Sequence, residues 1–338
     1  MASSLVDSQG RARLRDKYKQ AARSIIQELQ SRSKPAYTHT ELAQIRVSVQ
    51  SVDPEDHKFT DSEACLFPPL TQEELETYKI DKKELSKDEH RYITDFKGTF
   101  NDPPPGGVSE SCLMWERAGQ ILFYLKVFES NSERKSGRSE SSIKDLSHWD
   151  STKAENSFHE TPTGMLRGFK LGHSKPQDLP RWNAYSTCQW LDDFEDPKTT
   201  RPHIKLLTLT GAKAKENELL HGELAPIANV LYCRLEQPEF ENTSLFPVLV
   251  ISLFGPRHGR LLQAKFDNSG TLLVRSSPIY DFVDSDEKIK LFVRYNNCKP
   301  RDGPEIEPVL VDEQSPSPRV QHQASLFASN KENLFPQK

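Results

Sequence analysis

The large apolar side chains of this chain are concentrated in one stretch. Leu, Ile, Val and Phe account for 33 of the 98 residues from Arg201 to Cys298, but for 47 of the other 240. A core needs dense apolar surface to offset the entropy lost when a chain orders. The distribution therefore predicts that folding centres on the C-terminal third. The remainder is polar, contributes to a mean hydropathy of -0.69, and reads as helices joined by linkers.

Within the dense stretch, His203–Thr210 reads as a strand or short helix. Leu219, Leu220, Glu223, Leu224, Ile227, Val230, Leu231, Arg234 and Leu235 fall on adjoining faces of a helix over Glu216–Glu236, which Pro226 either begins or kinks. Leu245–Phe254 is a nearly continuous apolar run, as expected of a strand covered on both faces. Gly255–Gly259 breaks it, Arg260–Asp267 alternates, Asn268-Ser269-Gly270 supplies a hairpin turn, and Thr271–Ser276 alternates again. Ile289, Leu291 and Val293 mark Lys288–Tyr295 as a last strand. The expected class is α+β: a C-terminal helix plus an antiparallel four-stranded β-meander, with N-terminal helices and long disordered segments.

The expected organisation is an amphipathic helix (1–33), an acidic, Pro-rich linker with weak elements (34–109), and a helix packing on the core (110–129). A disordered linker (130–162), the α+β core (163–299) and a disordered tail (300–338) follow. The first helix repeats Leu14, Tyr18, Ala21, Ala22, Ile25, Ile26 and Leu29 on one face and carries Arg11, Arg13, Arg15, Lys17, Lys19 and Arg23 on another. Docking or capping of a neighbouring domain is its leading reading, ahead of nucleic-acid or membrane contact. In the linker, Thr71 and Glu74 have capping-box spacing. Trp182, Tyr185, Trp190 and Phe194, beside the acidic run Asp192–Asp196, read first as anchors of an irregular segment and second as a recognition surface. In the tail, Ser315-Pro316, Ser317-Pro318 and Lys331-Glu332-Asn333 match short regulatory patterns that three residues meet by chance.

Charge and composition narrow the function. A formal net charge of -4 gives no broad attraction to nucleic acid or anionic membrane. The N-terminal residues hold no apolar run of secretory type and no stretch reaches membrane-span length, so no membrane association is expected. Five dispersed cysteines suit neither a disulfide scaffold nor a zinc site, pointing to a cytoplasmic or nuclear protein. No cofactor fingerprint, metal-ligand spacing or nucleophile motif appears, so no cofactor, metal ligand or catalytic residue is assigned.

The patterns Pro247–Ser252, Gly255–Ala264 and Ser277–Phe282, together with Gly222-Glu223-Leu224 and Arg234–Phe240, resemble a set of uncharacterised proteins from filamentous fungi, over residues 200–296. The resemblance implies a fungal origin and brings no activity, cofactor or catalytic residue.

Two weak candidate sites stand out. Arg257, His258 and Arg260 flank a glycine-rich turn where donors can converge on an anion. Glu223 on the helix, with Gln263-Ala264-Lys265 in the meander, takes the arrangement of a PD-(D/E)XK nuclease, active or degenerate. Gln263 is a neutral amide where the metal chemistry needs a carboxylate. A non-enzymatic protein with protein partners is the leading expectation, and nucleic acid is the less favoured alternative.

Overall fold

The computed structural model describes residues 2–32, 34–80, 82–94, 109–134, 142–144, 147–151, 180–282 and 286–302. The chain divides into a body, Met1–Pro308, and a unit, Val309–Lys338, that lies outside the described residues. The tail motifs at 315–318 and 331–333, the Pro-Gly stretch 103–107 and the expected disorder at 152–162 lie outside them as well.

The helices are α1 (Ala2–Ser31), α2 (His39–Gln44), α3 (His57–Thr60), α4 (Gln72–Glu76), α5 (Lys87–Thr94), α6 (Glu110–Asn131), α7 (His221–Glu236) and α8 (Asp286–Asn296). The strands before α7 are β1 (Ala36–Thr38), β2 (Val47–Ser51), β3 (Tyr78–Ile80), β4 (Ser132–Arg134), β5 (Trp149–Ser151), β6 (Trp182–Leu191), β7 (Thr200–Thr210) and β8 (Glu218–Leu220). After it come β9 (Val248–Phe254), β10 (His258–Phe266), β11 (Leu272–Ser276) and β12 (Tyr280–Asp281).

The class is α+β, built on an eight-stranded sheet of order β2-β11-β10-β9-β7-β6-β5, with β12 also paired to β10. The expected hairpins β9-β10 and β10-β11 are antiparallel, but β7 lies parallel to β9 and β2 parallel to β11. The sheet is therefore mixed, not a four-stranded meander. At the second hairpin Gly270 has φ +79°, a conformation that favours glycine, and Thr271 N–H donates to Asp267 Oδ1 at 2.8 Å. Lys288–Tyr295, expected as the fourth strand, is helical in α8. Its apolar residues satisfy both periods: Ile289, Leu291 and Val293 alternate, while Ile289, Phe292 and Val293 share a helical face.

Alternate residues of the sheet serve two apolar layers. Leu206, Val250 and Leu262 join the cluster that holds α1 and α7, whereas Leu207, Ile251 and Leu261 join the cluster that holds α6 and α8. Every residue of β9 is buried, which explains its unbroken apolar run.

The expected linker 34–109 is the largest correction. Over its described part, Tyr37, Leu42 and Val47 belong to the α1/α7 layer, and Leu66, Phe67 and Leu75 to the other. β2 forms an edge of the main sheet, so the core is not confined to residues 163–299. Likewise β5, inside the expected disordered linker, pairs with β6 from Trp149↔Trp190 to Ser151↔Cys188. These segments are poor in apolar residues, yet Tyr37, Leu42, Val47, Leu66, Phe67, Leu75 and Trp149 are buried in the same clusters as the dense stretch. The Thr71/Glu74 capping box forms, with Glu74 N–H on Thr71 Oγ1 at 3.0 Å and Thr71 N–H on Glu74 Oε2 at 2.9 Å.

The basic residues of α1 explain its seat. Arg15 is buried and donates to the Leu235 carbonyl at 2.7 Å, placing a cation on the last turn of α7 where the helix dipole favours one. Arg23 donates to Tyr232 Oη at 2.8 Å, and Lys17 reaches the Asn268 carbonyl at 3.1 Å. Tyr18 stacks on Phe266 with centroids 5.0 Å apart. Among the described residues no helix is long and apolar enough to cross a membrane.

Candidate functional site

The structure disperses the residues nominated by sequence. Arg257 and His258 are half-buried at the β9-β10 turn. The His258 ring stacks on Phe254 at 6.2 Å, and its Nε2 lies 4.0 Å from Asp281 Oδ2. Arg260, two residues on, points inward with no exposed side-chain surface. Its Nε donates to Glu223 Oε1 at 2.7 Å and its Nη2 donates to Glu223 Oε2. Glu223 Oε2 also accepts the Leu220 N–H at 2.7 Å, closing the N-terminus of α7. The pair is thus an internal strut, and Arg260 shares no anion-binding surface with Arg257 and His258.

The nuclease arrangement fails on sidedness. Glu223 and Arg260 lie on the α1/α7 side. Gln263, of opposite parity to Leu262 and Ala264, faces the other layer, where its Oε1 accepts the Leu66 N–H at 3.1 Å and its Nε2 lies 3.6 Å from Cys65 Sγ. Lys265 shares the Gln263 side by strand alternation. Burial, then the Arg275 charge, hold its ammonium below the usual lysine range. A sheet therefore separates Glu223 from the triplet. Among the described residues no group of three or more His, Cys, Asp or Glu is arranged to hold a metal ion.

Buried polar groups on the α6/α8 side converge on the segment 296–302. Lys205 Nζ donates to the Asn296 carbonyl, Trp149 Nε1 to the Cys298 carbonyl at 2.8 Å, and His203 Nε2 meets the Arg301 carbonyl at 3.0 Å. Arg301 N–H bonds the Leu66 carbonyl at 2.9 Å and Lys299 N–H the Pro68 carbonyl at 3.3 Å. The side-chain amides of Asn296 and Asn297 both donate to Glu129 Oε1, the latter at 2.7 Å. Burial pushes the Glu129 carboxyl upward against the opposing Lys205 charge. These groups hold a strap across the sheet. Burial also brings His203 down to about 4 and Cys298 up to about 12, leaving a neutral imidazole and an inert thiol. All five cysteines are free and four are buried.

Beside the strap lies a cleft of about 370 Å³, within the range of small-ligand and side-chain pockets. Glu73, Glu74 and Thr77 line it from α4 and its C-terminus, Tyr78 from β3, Trp190 from β6, and Asn297 and Lys299 from the strap. Leu70 and Ile143 add apolar wall. Trp190 is held by its Nε1 bond to Asp192 at 2.9 Å and by an edge contact with Trp149 at 5.4 Å. His148 stacks on Trp190 at 5.1 Å and Phe194 on His148 at 5.3 Å. Phe194 is 53% exposed, so a supported aromatic stack runs from the cleft wall to the surface.

The sequence marked Trp190 and Phe194 within an aromatic and acidic cluster but missed the rest of this site. The signal is divided among the expected linker (70–78), the expected disordered segment (Ile143) and the residues just after the expected last strand (Asn297, Lys299). Only the strap and the α4 capping box bring Glu73, Asn297 and Lys299 together. No family model, curated protein or solved structure matches this chain.

Proposed function

We propose that this protein is a non-enzymatic recognition module that binds a segment of a protein partner through the cleft between α4 and the strap. The carrying observation is the Phe194–His148–Trp190 stack, which leaves an aromatic exposed at one end while Trp190 at the other lines the cavity. Aromatic anchors held by their neighbours provide contact area at little entropic loss and dominate many interfaces. The free cysteines favour a cytoplasmic or nuclear setting. The reading keeps the chain with the filamentous-fungal proteins that its 247–282 pattern resembles.

The test compares affinity capture from extracts of the native host by the full chain and by its Phe194→Ser variant. A partner retained by the parent and lost by the variant supports the reading, and identical captured sets overturn it. Magnesium-dependent cleavage of DNA or RNA, abolished by Arg257→Ala, would replace it with the nuclease alternative.

A further inference from the structure

Resting on that recognition role, we propose that the cleft takes a Lys or Arg side chain of the partner segment. Glu73 and Glu74 line the cavity from one short helix, and both are exposed. Glu74 Oε2 is engaged by Thr71, which fixes that carboxylate in place. Glu73 has no ion pair among the described residues. Two lining carboxylates stand against one lining cation, Lys299, so the balance of charge favours a cationic occupant.

The walls suit the stem of such a side chain. Leu70, Tyr78 and Ile143 supply apolar and aromatic surface to the same cavity, matching the methylene chain that Lys and Arg bury while keeping the charged head hydrated. Lys299 is then positioned as a donor to a carbonyl oxygen of the partner backbone, a contact that a peptide offers and a free polyamine does not. Phe194 and the exposed Asp193 and Glu195 beside it add apolar and acidic surface at the outer end of the stack that starts at Trp190.

The experiment is calorimetric titration of the full chain with two blocked peptides, acetyl-Gly-Leu-Lys-Leu-Gly-amide and its counterpart with Glu in place of Lys, at low and moderate salt. The Lys peptide should bind at least about tenfold more tightly, with affinity falling as salt rises. Glu73→Lys should lower that affinity by about tenfold or more, and Glu73→Gln by less, with circular dichroism unchanged in both. Tighter binding of the Glu peptide would overturn the cationic preference while leaving a functioning recognition cleft. Binding of neither peptide would overturn it too, and the Phe194→Ser capture comparison would then decide the recognition role separately. Equal loss of affinity with a charge change of the same sign on the opposite layer, at exposed Glu241 beside Phe240 (Glu241→Lys), would also sink the proposal.

Discussion

The two faces of the sheet handle buried polarity differently. On the α1/α7 face, Glu223 and Arg260 are both fully buried and bonded to each other through two contacts, and α1 with its arginines covers the layer. On the α6/α8 face, Lys205, His203 and Trp149 bond to backbone carbonyls of the strap, and a cleft remains beside it. Charge paired with charge inside a closed layer stiffens the fold. Beside the strap, Glu73, Phe194 and Lys299 remain exposed.

The contrast is broken most severely at the strand both faces share. Ile251 is fully buried on β9, and Ile251→Asp places an unpaired charge there. The expected outcome is loss of the cooperative unfolding transition by circular dichroism in urea. A variant with the parent's midpoint would remove β9 from the centre of the sheet.

Next in size is the strut itself. Arg260→Met or Glu223→Leu alone should destabilise by about 3–5 kcal/mol, because each leaves the other charge buried without its partner. The double variant should recover most of that loss in urea unfolding. Additive losses would show that the two side chains do not act as a pair.

A pH series sharpens the comparison, since each face carries one buried histidine. Burial brings both His203 and His221 to about 4, below the usual unfolded value of about 6.5. The unfolded chain then binds more protons between those values. Stability is complete above about pH 6.5 and falls as pH drops toward 4, by up to about 3 kcal/mol for each histidine. At His203 the reason is specific: Nε2 is used on the Arg301 carbonyl, and Nδ1 is buried with no acceptor among the described residues. His203→Gln should flatten part of the acid slope in urea midpoints between pH 7 and 4.5. An unchanged slope would refute the assignment.

The smallest expected effects lie at the edges of each layer. Arg15→Ala removes a cation from the C-terminus of α7 and should lower stability by about 1–2 kcal/mol, with faster hydrogen exchange in α1. Phe194→Ser should change stability by less than about 0.5 kcal/mol, as expected of an exposed position. A larger thermal shift would mean that Phe194 supports the fold, removing it as a recognition residue.

How much was legible follows from where the signal was dense. The β9 run, the Gly270 hairpin, the amphipathic faces of α1 and the Thr71/Glu74 box are each written in a few adjacent residues, and all are present. Lys288–Tyr295 reads as a strand because its eight residues with five apolar members satisfy two periods at once, and packing against β9 and α6 selects the helix. The segment 34–80 read as linker because local composition does not reveal a core borrowed from elsewhere. Its Leu42, Leu66 and Phe67 become buried only because the dense stretch supplies the opposing surface.

The amino-acid order determined the local structures whose hydrogen bonds and apolar periods close within a few residues. Tertiary structure alone decided that Arg260 turns inward to Glu223, that β7 and β9 run parallel, and that residues 73, 190, 297 and 299 meet around one cavity. Those outcomes depend on contacts between residues far apart in the chain. Side-chain direction across a sheet reverses at every residue, so neighbours in sequence such as Arg260 and Leu261 serve opposite layers.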